Sequence, residues 1–342
     1  MADATPETQA EEQEAQPLNI FIAGADHAAG LAAAKLAVKA GHNVVGTSAT
    51  GTDGAMLIRD VGALPVYPDM TRAGEIRSAM SMSKADIVIN CLAQNILGMP
   101  LADTDYETEA QNFATATQAL VSVAGQLGVK RFIHISPAFI YGDTKDAATE
   151  ENLTHHGNAV MDAAVDAEAA VRDGAIPTYI VRSGFIYGAK SAASKAVADK
   201  LRKGGFFPKG NGKVSYIYED DLAAVAFALV EAEDAPNTLN VADNEPTTHS
   251  AFLNKLGALI GVGEPTGLPS FAVNWRTNEL QREMLELNAP VDANKVKDLF
   301  GWSPEYATQE AGIERMLLVW RAVDAAATAS DARVVNTSIV KA

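Results

Sequence analysis

The chain has 342 residues, 48% of them hydrophobic and 20% charged, which is ordinary globular composition with enough length for a sizeable core. Its 43 acids against 27 Lys and Arg give a formal net charge of −16, a balance that excludes nucleic acid and anionic membranes as partners. The single cysteine, Cys91, excludes an internal disulfide and a cysteine-based zinc site.

Residues 1–17 hold Asp3, Glu7, Glu11, Glu12 and Glu14 with almost nothing to bury, and are expected to be a disordered acidic tail. No secretory leader is read there. The apolar run Ile20 to Ile22 then reads as a buried strand, Gly24 as the start of a tight turn, and Gly30 as part of an Ala- and Leu-rich helix. That is the strand–turn–helix on which a dinucleotide pyrophosphate rests, at the free N–H groups of the helix start. His27 stands where the middle glycine is expected, and its Cβ crowds the path of the pyrophosphate.

Strand and helix go on alternating. Further strands are predicted at Asn43 to Ser48, Leu64 to Tyr67, Ala85 to Asn90, Arg131 to Ile135 and Ile176 to Val181. A helix is predicted from Glu109 to Gly128, with Phe113, Ala116, Leu120, Val121 and Ala124 at helical spacing. This rhythm predicts an α/β, Rossmann-type doubly wound parallel sheet over 18–184, with ligands at the carboxyl ends of its strands. Residues 185–324 read as a small cap subdomain that returns to the main sheet near Thr238 to Val241. Residues 325–342 read as a tail or arm with a β-prone end. The longest apolar run, Leu222 to Val230, falls far short of the ~20 residues of a spanning helix. Asp221 is expected to cap the helix that follows it. The expected location is the cytoplasm.

From Leu18 to about Val319 the chain resembles the extended short-chain dehydrogenase/reductases, the NAD(P)-dependent epimerase/dehydratase family. Seven pieces carry the likeness in order: Ala23 to Gly30, Asp69-Met70, Ile89 to Gln94 with Asn112, Phe132 to Ser136 with Tyr141-Gly142, Val181 to Gly188, Tyr216 to Ala223, and Leu299 to Pro304. The resemblance implies cofactor contacts from Gly24, Asp26, His27, Ala28, Gly30, Thr47, Ser48, Asp69, Met70, Leu92, Ala93, Gln94, Asn112, Ser136, Arg182, Ser183, Gly184 and Phe185.

The family moves protons with a Tyr, a Lys four residues later, and a Ser or Thr on the substrate oxygen. Counted back from Glu168 on a helix predicted from Gly157 to Arg172, the Lys position holds Ala164 and the Tyr position Val160. The Ser/Thr position holds Pro137. Ser136, Tyr141 and His156 are left as weak catalytic candidates, His156 because imidazole titrates near neutrality. Asp26 and His27 have no third ligand beside them, so no metal site is expected. Arg182 has a competing reading as half of a buried ion pair. His134 reads as a core histidine.

After the second strand, Thr47 to Thr50 supply neither the acid usual for NAD(H) nor the cation usual for NADP(H). The missing carboxylate tips the expected cofactor toward NADP(H) over NAD(H). The sequence therefore favours an NAD(P)-binding protein with a structural, accessory-subunit or redox-sensing role, working with a protein partner, a larger complex or a second copy. The alternative is an NAD(P)-dependent oxidoreductase or epimerase acting on a small carbonyl or sugar with an unusual proton donor.

Overall fold

The structure, a computed structural model, describes residues 16–339 except 27, 101–104 and 233–234; for 270, 271, 274 and 327–339 it describes the backbone alone. In chain order the strands are β1 (Asn19–Ala23), β2 (Asn43–Thr47), β3 (Leu64–Val66), β4 (Ile87–Asn90), β5 (Arg131–Pro137) and β6 (Thr178–Ser183). There follow β7 (Phe185–Tyr187), β8 (Phe206–Phe207), β9 (Lys213–Val214), β10 (Tyr216–Tyr218), β11 (Thr238–Val241), β12 (Thr247–Thr248) and β13 (Thr266–Gly267). The helices are α1 (Ala28–Lys39), α2 (Gly51–Asp60), α3 (Ala73–Ser83), α4 (Tyr106–Leu127), α5 (Ala159–Arg172) and α6 (Ala192–Arg202). The later ones are α7 (Glu219–Glu231), α8 (His249–Leu259), α9 (Ser270–Arg276), α10 (Glu279–Glu286), α11 (Asn294–Phe300) and α12 (Gln309–Ile339).

Seven parallel strands form one sheet in the order β11-β6-β5-β4-β1-β2-β3. The doubly wound sheet expected from the sequence is what the chain builds. Its strand order reverses between β1 and β4, which opens a crevice beyond their carboxyl ends. Alternate residues feed opposite faces: Ile20, Ile22, Ile87, Ile89, Ile133 and Ile135 join one core. Phe21, Val88 and Phe132 join the other.

The flanking helices start where polar caps allow. Asp105 accepts from the Thr108 N–H at the head of α4, and Asn158 accepts from Val160 and Met161 at the head of α5. Within residues 185–324, short strands pair outside the main sheet: β7 with β10, β8 with β13 and β9 with β12. The interior there is aromatic: Tyr216 stacks on Phe252 at 4.4 Å, and Tyr187 meets Phe252 edge-on at 5.2 Å.

Two expectations are corrected. Asp221 does not cap a helix beginning at Leu222, because α7 begins three residues earlier, at Glu219; its carboxylate instead accepts from the Glu305 and Tyr306 N–H groups and ties down the segment before α12. The chain beyond Ala325 is not β-prone, for α12 continues through Ile339. Ala, unbranched and compact, dominates that stretch and favours helix over the few Val and Ile that suggested strand. The tail read at 1–17 lies, up to residue 15, outside the described residues. Among the described residues, no helix is long and apolar enough to cross a membrane.

Candidate functional site

The turn between β1 and α1 is built for close approach. Gly24 sits at φ +77°, and its N–H donates to Thr47 Oγ1 at 2.8 Å, which ties the turn to the end of β2. A Cβ on Gly30 would lie 2.0 Å from the Gly24 carbonyl oxygen, so only glycine lets α1 start this near the strand. His27 lies outside the described residues. Ala28 takes φ +45°, an unfavourable left-handed backbone for a residue with a Cβ. Its N–H, at the head of α1, points to the Lys190 carbonyl at 3.3 Å. That is a long bond. The Lys190 N–H in turn donates to Glu219, whose carboxyl is pushed up to about 8 by burial.

Asp26 is the residue whose role the sequence did not disclose. It is buried, and Oδ2 accepts from Ser48 Oγ (3.1 Å), the Ala49 N–H (2.8 Å), the Thr50 N–H (3.0 Å) and Thr50 Oγ1 (2.9 Å). The run Thr47 to Thr50 carries no acid of its own. Asp26 brings one there from the glycine turn, across space rather than along the strand. Gly54 makes room for it, since a Cβ at that point would fall 2.2 Å from Thr50 Oγ1 and 2.4 Å from Ser48 Oγ.

Between this knot and β4 runs a narrow cavity of about 50 Å³, bounded by Gly24, Asp26, Thr47, Ser48, Met70, Leu92 and Gln94, together with Ala49, Pro68 and Asn95. The first seven were expected to meet a cofactor. Gln94 Nε2 donates to the Gly24 carbonyl at 2.8 Å, while its Oε1 is buried without a hydrogen-bond partner. An orphaned acceptor beside the glycine turn is a place for a ligand donor. Other expected contacts stand elsewhere. Asp69 is turned to Thr71 and Arg72, and those hydrogen bonds hold its carboxyl below the usual range. Ala93 is buried, and Asn112 is exposed on α4.

On the sheet's other half most of the expected contacts are buried. Val160 and Ala164, one turn apart on α5, are fully buried apolar contacts at the positions that the resemblance assigns to Tyr and Lys. Arg182 is spent on Glu168, with Nε to Oε1 at 3.0 Å and Nη2 to Oε2 at 2.7 Å, and its guanidinium lies over the Tyr141 ring. The competing ion-pair reading of Arg182 is the one its geometry follows. Tyr141 donates to Asn240 Oδ1 at 2.8 Å and is buried, so its hydroxyl is engaged in structure. Burial raises its pKa, against the pull of Arg182.

Ser136 and Ser183 are buried, the latter donating to the Gly184 carbonyl. Gly184 itself has no room for a side chain, 2.7 Å from the Ser215 carbonyl. Phe185 joins the aromatic interior, 5.5 Å from Phe139 and edge-on to His249 at 4.9 Å. His134 stacks on Phe113 and shares Nδ1 with Asn90, and burial lowers its pKa to about 4. His156 is exposed and pairs with Asp162 at 3.1 Å. It borders, with His155, Asp143, Glu283 and Glu286, an open cleft of about 420 Å³ at the head of α5. Among the described residues, no cluster of His, Cys, Asp and Glu could hold a metal.

Known proteins resemble this arrangement. Residues 20–242 match the model of the NAD dependent epimerase/dehydratase family. An epimerase family protein of Mycobacterium leprae is 26% identical over 215 residues, covering 60% of this chain and 68% of its own. The mouse dTDP-D-glucose 4,6-dehydratase is 21% identical over 267 residues, 75% of this chain and 73% of its own. Among solved structures, the Bacillus anthracis dTDP-glucose 4,6-dehydratase in complex with NAD superposes at a TM-score of 0.71 with 14% identity, over 89% of this chain and 97% of that one. The Thermotoga maritima UDP-glucose 4-epimerase with UDP-glucose gives 0.70 and 17%, over 89% and 100%. With the family model spanning more than half of its length and the sheet, turn and crevice arranged as above, the chain belongs to the NAD-dependent epimerase/dehydratase family.

Proposed function

We propose that this protein binds a nicotinamide dinucleotide through its adenosine half and does not carry out the family's proton-coupled hydride chemistry. It serves instead as an accessory or redox-sensing subunit beside a protein partner or a second copy. The observation that carries this is the contrast between the two halves of the sheet. The adenosine side keeps its glycine turn, an acceptor without a partner on Gln94 and a carboxylate on Asp26. The reacting side holds Val160, Ala164 and Phe185, fully or almost fully buried, none of which can move a proton.

The residues fit the adenosine half of the group: Gly24 and Gly30 would let the pyrophosphate near α1, and Met70, Leu92 and Gln94 would border the base and ribose. The long Ala28-to-Lys190 bond is one that an incoming phosphate would replace. When bound, nicotinamide supplies a hydride donor or acceptor. A positioned side chain normally adds ~10²–10⁴-fold to the accompanying proton transfer, and the side chains in the Tyr and Lys positions offer none of it.

One observation favours a second reading, an oxidoreductase or epimerase with an unusual proton donor. The cleft at the head of α5 gathers His155, His156, Glu283 and Glu286 around enough space for a small substrate.

The purified full chain, incubated with deuterium-labelled NADH and a library of carbonyl compounds and nucleotide sugars, tests both. The first reading expects stabilisation against heating by the dinucleotide and no label transfer. Transfer that disappears in His156→Ala establishes the second.

A further inference from the structure

We infer that the acidic segment of residues 1–15 docks, within its own chain, on a basic cleft between α6 and α9, where it covers Trp275 and competes with anionic ligands. The segment carries Asp3, Glu7, Glu11, Glu12 and Glu14 and no Lys or Arg. Another stretch segregates charge the opposite way: between Asp173 and Glu219 stand eight Lys and Arg and one acid, Asp199. Much of that excess lies on α6 and the loop after it. Lys195, Arg202, Lys203 and Lys209 are exposed there, and Asp199 is shared between Lys195 and Arg202. In a chain of net charge −16, this face attracts carboxylates instead of repelling them.

The same face holds a cleft of about 600 Å³. Phe206 and Trp275 border it, 51% and 85% exposed, and the described residues around it include Lys200 and Arg276 and no acid. Asp3 and Glu7, with Ala4 and Pro6 between them, supply carboxylates for the two cations and apolar groups for the two rings. The segment is long enough to arrive. Leu18, just past it, donates its N–H to His42 Nδ1, and His42 faces Glu231 at the end of α7. α7 has 13 residues, about 20 Å, and its first, Glu219, accepts from the Lys190 N–H. From there contacts run through the Ala189 carbonyl to the Trp320 indole, and to Arg202 over that ring. Fifteen extended residues span about 50 Å, ample for this path. Tethering then holds the carboxylates at a roughly millimolar effective concentration.

Carbodiimide cross-linking of the full chain with peptide mapping tests this, because a carboxylate and a lysine amine condense to an amide only where they touch. Amides from Asp3, Glu7 or Glu11 to Lys195, Lys200, Lys203 or Lys209 are expected. Their yield should fall about tenfold as salt rises from about 0.01 M to about 1 M and the Debye length shrinks from about 30 Å to about 3 Å. An equal mixture of isotope-labelled and unlabelled chains should give links within chains; links between them assign the site to a second copy's segment and overturn the inference. Iodide quenching of Trp275, isolated by difference from Trp275→Phe, is the second readout. Asp3→Asn, Glu7→Gln, Glu11→Gln, Glu12→Gln and Glu14→Gln together should raise it about threefold at low salt. No links to those lysines, links indifferent to salt, or quenching unchanged by neutralisation overturns the inference. None of these outcomes bears on the dinucleotide reading.

Discussion

Arg182 and Glu168 face each other through two parallel hydrogen bonds, their side chains 4% and 0% exposed, between β6 and α5. Arg172 reaches the same carboxylate from the protein's edge. Burial alone would raise the Glu168 pKa, but the Arg182 hydrogen bonds and charge outweigh it and hold the carboxyl below its ordinary value of 4.5. The pair locks β6 to α5. Arg182→Met should therefore cost about 3 kcal/mol, since it leaves a buried carboxylate with one half-exposed partner. Urea unfolding measures this, and a loss under about 1 kcal/mol would contradict it. Because the folded pKa is depressed, the contribution of the pair is present above the ordinary value and is lost as pH falls through the folded one.

Glu219 titrates with the opposite sign. Burial lifts its folded pKa to about 8 from an ordinary 4.5, so between those values the folded state holds a proton that the unfolded state has released. Stability should fall as pH rises across that window. Asp243, raised to about 7 mainly by burial, and Asp221, raised to about 6 for the same reason, add to the slope. Glu219→Gln should flatten it and raise stability at pH 8 relative to wild type. Melting temperatures from pH 5 to 9 report the outcome, and identical slopes in the two proteins would count against it.

Gly30→Ala puts a methyl group into the Gly24 carbonyl, a backbone atom that cannot step aside. A loss of about 3 kcal/mol is expected from the forced separation of α1 and β1. Unchanged stability in denaturant would show that the turn is looser than it stands here.

Gln94→Ala removes both the bond to the Gly24 carbonyl and the acceptor without a partner. Dinucleotide affinity should drop about tenfold, with stability reduced by about 1 kcal/mol. Titration of the variant against NAD is the check, and unaltered affinity would remove Gln94 from the site.

The sheet was legible because its strands are short runs of Ile, Val and Phe punctuated by Gly and separated by amphipathic helices. That local pattern survives any change at the site. Gly24, Asp26, Gly30 and the segment Leu92 to Gln94 were read as cofactor contacts through the family's spacing. The hydrogen bonds of Asp26 were not legible, because its partners Ser48, Ala49 and Thr50 lie more than twenty residues away and meet it only after the turn and the second strand come together. Arg182 reads ambiguously in one dimension, since a cation near a cofactor and a cation opposite Glu168 look alike until α5 packs. The α-helical end of the chain was obscured by Val334, Val335 and Ile339, whose strand preference yields to the Ala-rich helix preceding them.

The central claim is that the adenosine half of the crevice binds while the reacting half does nothing. Side-by-side calorimetric titration of the full chain with NAD and with ADP-ribose addresses it most directly. Equal affinities, within about threefold, are predicted, because the nicotinamide would find no built partner. NAD binding roughly 100-fold tighter than ADP-ribose would reveal a nicotinamide pocket that Val160, Ala164 and Phe185 do not provide, and would contradict the account.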